Sequence, residues 1–313
     1  MIRLDDVLVL TPQITPTAAR IVVIASYKAA ESVPIPPLDL VGQVIGPSCE
    51  YATTLSGRVP LPTSSMNHTL KFQAAVQILE PCFWEPQHPF CYEIQLELHK
   101  AGKDDRLLDM RRVICGIRHL AVDGLELLLN GQPFFLQGLW HDRANSITEL
   151  ERWHQVGCDG FLADANGLCD RTDRWGPFAL HVLAPVIEEA KNQVVRLRNH
   201  PSLGIWVVPD ELTGTYLDSL IKAVSACDRS RPIAQMVSID LATSRAGPAD
   251  ILLLPASHPE IGSDEIAKPY IAVARSMTDA AAAAAHAPDG FSEAVADFRD
   301  SLGSPPGLVG VIV

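Results

Sequence analysis

The chain lacks any apolar run near the ~18 residues that cross a bilayer as a helix. Its start, Met1-Ile2-Arg3-Leu4-Asp5-Asp6, has neither the basic nor the apolar region of a secretion signal. Basic clusters are missing as well: 25 Lys and Arg against 37 Asp and Glu give a net charge of −12. That balance speaks against nucleic acid and against an anionic membrane surface as partners. No C-x-x-C pair occurs among the seven cysteines, an odd number scattered along the chain. Dispersed thiols of this kind read as buried cysteines of a cytoplasmic protein rather than as a disulfide framework. Phosphate loops, dinucleotide fingerprints and nucleophile elbows are absent too. His141, Asp142, Asp210 and His258 are suitable metal-ligand types, but their spacing follows no metal signature. Neither a metal nor a cofactor is expected.

What is present is a well-packed globular chain. Its 313 residues are 47% hydrophobic, with a mean hydropathy of +0.13. That length allows about two domains with sizeable cores. The first, residues 1–118, reads as β. Strand-like runs occur at 7–10, 20–27, 51–58, 69–79 and 92–99, and several alternate apolar with polar, as in Tyr92-Glu93-Ile94-Gln95-Leu96-Glu97-Leu98. Period-two alternation marks strands with one wet face, the pattern of a sandwich. Many of the 24 prolines fall in this first third, in loops between short strands. An immunoglobulin-like β-sandwich fits the spacing.

From residue 119 to 313 strands alternate with helices. Eight strand candidates stand at 134–140, 160–164, 178–184, 203–209, 232–237, 250–256, 269–275 and 308–313. Helical periodicity appears at 147–156, 185–198, 216–227 and 291–302, with an alanine run at 280–285. Eight strand–helix units imply a compact (β/α)8 TIM barrel, close to the lower limit of about 200 residues for that fold. Its loops are therefore short, and one or two helices are expected to be reduced or missing.

One stretch organises this second half: Arg196-Leu197-Arg198-Asn199-His200-Pro201-Ser202, a buried apolar run from Leu203 to Val208, then Asp210 and Glu211. Asn199-His200-Pro201 ends a helix, because the residue before a proline is driven out of the α region. Two carboxyl groups then stand at the strand's carboxyl end, where ligand chemistry sits in such folds.

This stretch resembles the Arg-x-Arg-Asn-His-Pro-Ser, strand, Asn-Glu segment of family 2 glycoside hydrolases, the β-galactosidase, β-glucuronidase and β-mannosidase superfamily. Further motifs carry the likeness in order: Trp84-Glu85-Pro86-Gln87-His88-Pro89, Gly116-Ile117-Arg118 and Leu129-Asn130-Gly131-Gln132-Pro133. The resemblance implies that Glu211 occupies the general acid/base position and that Asp210 stands where the family has a sugar-binding Asn. It also implies a truncated relative, since nothing before residue 1 matches the family's jelly-roll domain and nothing after strand eight matches its tryptophan platform.

The same comparison implies degeneracy. Retaining glycosidases need two carboxyl groups about 5–5.5 Å apart. The family's strand seven, Lys-Pro-x-x-x-x-Glu, reads here Lys268-Pro269-Tyr270-Ile271-Ala272-Val273-Ala274, followed by Arg275. The nucleophile position falls on Ala274. The family's Gly-Val-Asn after strand one is Gly138-Leu139-Trp140, and its Asn-x-x-Arg on strand two is Gly160-Phe161-Leu162-Ala163. Polar residues at the expected barrel mouth are His141 and Asp142, Asp164 and Asn166, Asp210 and Glu211, Asp240, His258, and Arg275 with Ser276. Each except Glu211 reads more simply as a solvated loop residue or helix cap, and Arg275 as a counter-charge to Asp210 or Glu211.

Three functions follow. The first is a pseudoenzyme that binds carbohydrate or serves an assembly or regulatory role with a protein partner or a second copy of itself. The second is an active O-glycosyl hydrolase pairing Glu211 with Asp142 or Asp240, by inversion across a wider gap of ~6.5–9.5 Å. The third is a structural barrel with a plugged mouth.

Overall fold

The computed structural model describes residues 2–30, 35–65, 71–102, 106–140, 147–163, 168–210, 212–237, 247–255, 268–274, 288–303 and 305–313. They form two compact units. The first comprises Met1–Trp84, His88–Arg118 and Asn199–Pro201, and the second Glu85–Gln87, His119–Arg198 and Ser202–Val313.

In the first unit β1 (Ile2–Thr15), β2 (Ala18–Ala29) and β5 (Lys71–Leu79) make one antiparallel sheet. A second holds β4 (Gly57–Ser65), β3 (Leu38–Ser48), β6 (Cys91–Lys100) and β7 (Arg106–Cys115), in that order. One core fills the space between them, with Ile21, Val23 and Phe72 from the first sheet and Leu40, Ile94 and Leu96 from the second. The alternation on β6 sends Ile94, Leu96 and Leu98 inward, as period two requires.

Two strands escape the sequence pattern. β3 carries Gly42, Gly46 and Pro47, which weaken any strand signal. Gly42 is there because a Cβ at that position would lie 2.5 Å from the Gln95 carbonyl oxygen. β7 is led by charged and exposed residues, with Arg111 and Arg112 both exposed. The run expected at 51–58 is corrected: β4 starts only at Gly57, and Leu55 before it is 94% exposed.

The second unit opens with a small antiparallel sheet of β8 (Leu120–Asp123), β9 (Glu126–Leu129) and β10 (Gln132–Pro133). Eight parallel strands follow and close a barrel: β11 (Leu136–Trp140), β12 (Gly160–Ala163), β13 (Phe178–Val182), β14 (Leu203–Val208), β15 (Ile233–Met236), β16 (Ile251–Pro255), β17 (Tyr270–Val273) and β18 (Leu308–Ile312). Closure is direct, with Leu136 and Gly138 of β11 in register with Gly310 and Ile312 of β18. Gly310 permits this approach, since a Cβ there would sit 2.7 Å from the Leu136 carbonyl oxygen.

The helices are α1 (Ile147–Gln155), α2 (Leu168–Trp175), α3 (Ile187–Leu197), α4 (Gly214–Cys227) and α5 (Pro288–Leu302). Leu217, Leu220, Ile221 and Val224 of α4 recur at i, i+3, i+4 and i+7 and are all buried, the stripe that seats a helix on a barrel. α2 has no such long stripe; its sequence is dominated by Asp170, Arg171, Asp173 and Arg174, which hid it. Among the described residues no helix separates β15 from β16 or β16 from β17. The alanine run 280–285 lies outside the described residues.

Alternate strand positions face the helices or the axis. Leu139, Phe161, Ala179, Trp206, Ala272 and Val311 belong to the shell shared with the helices. Their neighbours Leu162, Leu180, Ile205, Ile271 and Ile312 are fully buried and point to the axis. The interior is therefore packed with aliphatic side chains, as barrels of this kind are.

Candidate functional site

The organising stretch is used mainly for structure. Arg198, at the end of α3, donates from Nη1 to the Cys227 carbonyl oxygen at 3.0 Å. Asn199 donates from Nδ2 to the Val7 carbonyl and accepts the Val9 N–H at 3.0 Å, pairing with the β1 backbone. The Pro201 carbonyl accepts from Arg118 Nε. Ser202 is fully buried; its Oγ donates to Asp173 Oδ1 at 2.6 Å and its N–H to the same oxygen at 3.1 Å. Arg198 Nη1, the Asn199 side chain, the Pro201 carbonyl and Ser202 thus bond to backbone, to Arg118 or to a buried acid. The motif that resembles the family best thus holds the fold.

Further buried acids gather at the amino ends of the strands, where sequence reading named none. Asp159 precedes β12; its carboxylate accepts Gln87 Nε2 at 2.8 Å and the Gln137 N–H at 3.2 Å. Burial pushes its carboxyl up to about 6, against the opposing pull of those two hydrogen bonds. Asp228 precedes β15 and accepts Trp206 Nε1 at 3.0 Å, Arg231 Nη1 at 2.8 Å, and Ser230 N and Oγ at 2.9 and 2.7 Å. Burial alone would raise Asp228, but the Arg231 guanidinium and these donors bring it down to about 2. Asp250, which is exposed, likewise accepts the Ile233 N–H at 2.8 Å. Lys268 donates to the Gly247 and Ala249 carbonyls at 2.6 and 2.5 Å. The one available signal was an acid directly ahead of a buried strand, as in Cys158-Asp159-Gly160.

The carboxyl ends differ. Asp210 follows β14 in a turn and is half-buried. Ala274 follows β17, partly buried, and its N–H donates to the Ile312 carbonyl at 2.8 Å. Trp140 ends β11 and is 40% exposed, while its N–H is held by the Val313 carbonyl at 3.0 Å. Glu211, His141, Asp142, Asp164, Asn166, Asp240, His258, Arg275 and Ser276 lie outside the described residues. The structure therefore brings Asp210, Ala274 and Trp140 to one end of one barrel and is silent on the other named positions. Among the described residues no three His, Cys, Asp or Glu gather as a metal site, and no helix is long and apolar enough to cross a membrane.

A closed eight-stranded parallel barrel with short helices is the scaffold of a TIM-barrel protein. Residues 177–247 match the family model described as "Glycosyl hydrolases family 2, TIM barrel domain", a stretch that contains α3, the Arg-Asn-His-Pro-Ser turn, β14 and Asp210. The chain is also similar in fold to a family 2 glycosyl hydrolase from Bacteroides cellulosilyticus, with a TM-score of 0.73 and 19% identity over 99% of this chain and 44% of that one. A Bacteroides uniformis β-glucuronidase gives 0.72 at 16% identity, covering 99% and 46%. The β-glucuronidase of Bifidobacterium dentium, solved with coumarin-3-O-glucuronide, gives 0.71 at 17%, covering 99% and 60%. This chain thus spans about half the length of those structures. The likeness to family 2 read from the motifs is shown at residues 177–247, and across the chain the fold is that of those structures.

Proposed function

We propose that this protein is a carbohydrate-binding relative of the family 2 glycosidases that does not carry out retaining hydrolysis. The observation that carries the reading is Ala274. Lys268 stands two residues before strand seven, clasped by the Gly247 and Ala249 carbonyls, and Ala274 stands six residues on with its backbone paired to Ile312. This spacing supports the register in which the family's nucleophile falls on Ala274. A methyl group cannot attack an anomeric carbon, so the covalent intermediate that divides the reaction into two easier steps is lost. Glu211 by itself supplies acid assistance, typically worth ~10²–10⁴-fold, against the ~10⁶-fold or more at which enzymes operate.

The seven strands in two antiparallel sheets favour an immunoglobulin-like first domain, and the change from sheet pairs to strand–helix units favours a boundary at residues 118/119. Free thiols at all seven cysteines fit a reducing compartment.

The test is hydrolysis of nitrophenyl β-galactoside, β-glucuronide, β-glucoside and β-mannoside, with calorimetric binding of the corresponding methyl glycosides. Binding without turnover is expected. Turnover with retained anomeric configuration, abolished by Glu211→Gln, would show that another carboxylate supplies the nucleophile. Turnover with inversion would favour Glu211 with Asp142 or Asp240.

A further inference from the structure

We infer that Glu85-Pro86-Gln87 is a proton-dependent strap, clasped at the amino end of the barrel by Asp159 and His154, that grips in acid and loosens near neutrality. The segment lies between β5 and β6. It belongs to the second unit, although Trp84 before it and His88 after it belong to the first. Each of its residues is held. Glu85 Oε1 accepts Asn130 Nδ2 at 3.1 Å. The Pro86 carbonyl lies against Gly176, where any Cβ would collide with its oxygen and where the backbone has a φ of +107°, so glycine alone serves there. The Gln87 carbonyl accepts His154 Nε2 of α1 at 3.1 Å, and Gln87 Nε2 donates to Asp159 Oδ1 at 2.8 Å. Gln87 is at the surface, while Asp159 beneath this bond is 5% exposed.

The clasp is built around a buried acid whose two oxygens meet neutral donors, the Gln87 amide and the Gln137 N–H of β11. The titratable groups around it are His154 on α1, Glu85 on the strap, bonded to Asn130, and the adjacent Cys158 thiol, which burial pushes up. On α2, Asp173 is engaged with Ser202. None of these forms an ion pair with Asp159, and a buried carboxylate without a counter-charge favours its neutral form. The strap accommodates both states. The Gln87 amide donates to the carboxylate and, turned over, presents its oxygen to the hydroxyl of the neutral acid, while the Gln137 N–H keeps the other oxygen. A carbonyl only accepts, so His154 Nε2 carries its hydrogen whether the ring is neutral or charged. Protonation therefore keeps the contacts and removes the cost of a buried charge. Lifting the strap admits water to Asp159 and returns its carboxyl to the ordinary range, so opening releases the proton. The closed state, with the carboxyl near 6, is favoured most below the ordinary carboxylate value, and that advantage is lost as pH rises through about 6.

The experiment is hydrogen exchange of the strap amides in the full chain at about pH 5 and about pH 7.5, with rates corrected for the intrinsic pH dependence of exchange. The strap is expected to open about tenfold less often at the lower pH and to be less protected at both than the amides of β14, which report opening of the barrel itself. Asp159→Asn, neutral at both values, should keep acid-like protection throughout. His154→Gln, which retains a donor for the Gln87 carbonyl but does not titrate, should leave the tenfold response in place. Thermal melts establish that both variants fold, and the wild-type chain alone tests the pH response. Strap protection independent of pH in the wild type overturns the latch, as does protection equal to that of β14, which would mean that the strap opens only with the whole barrel. A full response retained in Asp159→Asn, or lost in His154→Gln, overturns the assignment of the proton to Asp159.

Discussion

The two ends of the barrel have opposite chemistry. At the amino ends, strand after strand begins beside a buried, hydrogen-bonded polar group: Asp159 before β12, Ser202 with Asp173 before β14 and Asp228 before β15. At the carboxyl ends the described axial positions are apolar, with Trp140 exposed and Ala274, the proposed nucleophile position, following β17. A hydrogen-bonded acid at the amino end closes loops and fixes strand starts; an acid at the carboxyl end would do chemistry. The described residues hold several of the first kind, and under the proposed register strand seven carries none of the second.

The comparison breaks most sharply at Asp228. Asp228→Ala leaves the Arg231 guanidinium, 7% exposed, and the Trp206 N–H without their shared acceptor. A loss of roughly 3–5 kcal/mol is expected in urea unfolding. A loss below about 1 kcal/mol would show that the amino-end network is ornamental.

Asp159 provides the next largest effect, and it depends on pH. Its folded pKa of about 6 lies above the ordinary carboxylate value, so the folded state binds the proton more tightly. The resulting stabilisation is complete below the unfolded pKa and is lost as pH rises through about 6. Wild type should lose up to ~2–3 kcal/mol relative to Asp159→Asn between pH 4 and 7. A difference that does not change with pH would remove the buried acid from the account.

Ser202→Ala should cost about 1–3 kcal/mol, because it strips the short hydroxyl bond from buried Asp173. Equilibrium unfolding and a wild-type-like fold by circular dichroism check it. The smallest effect belongs to the other end: Asp210→Asn should shift stability by about 0.5 kcal/mol or less. A shift as large as that of Ser202→Ala would mean that the mouth is built for stability as well.

The barrel was legible because its strands are continuous apolar runs with buried faces on both sides, such as Leu203–Val208, and all eight fall within a few residues of their expected places. Helices with an apolar stripe, α3 and α4, were equally plain. β3 and β7 were hidden by glycine and proline in the one and by exposed arginines in the other. In the site, the alanine at position 274 was readable from its distance to Lys268-Pro269. The amino-end acids were not, because Asp159 meets Gln87 across 72 residues of chain, and Asp173 meets Ser202 across 29.

By itself the sequence determined the barrel and its order of strands, and it suggested the register that puts Ala274 at the nucleophile position, since periodicity and motif spacing are local properties written along the chain. Tertiary structure alone decided that the Arg-Asn-His-Pro-Ser turn serves packing and that burial pushes the Asp159 carboxyl up to about 6. Those outcomes depend on which distant groups surround a side chain and on how much water they exclude, and no local pattern carries that information.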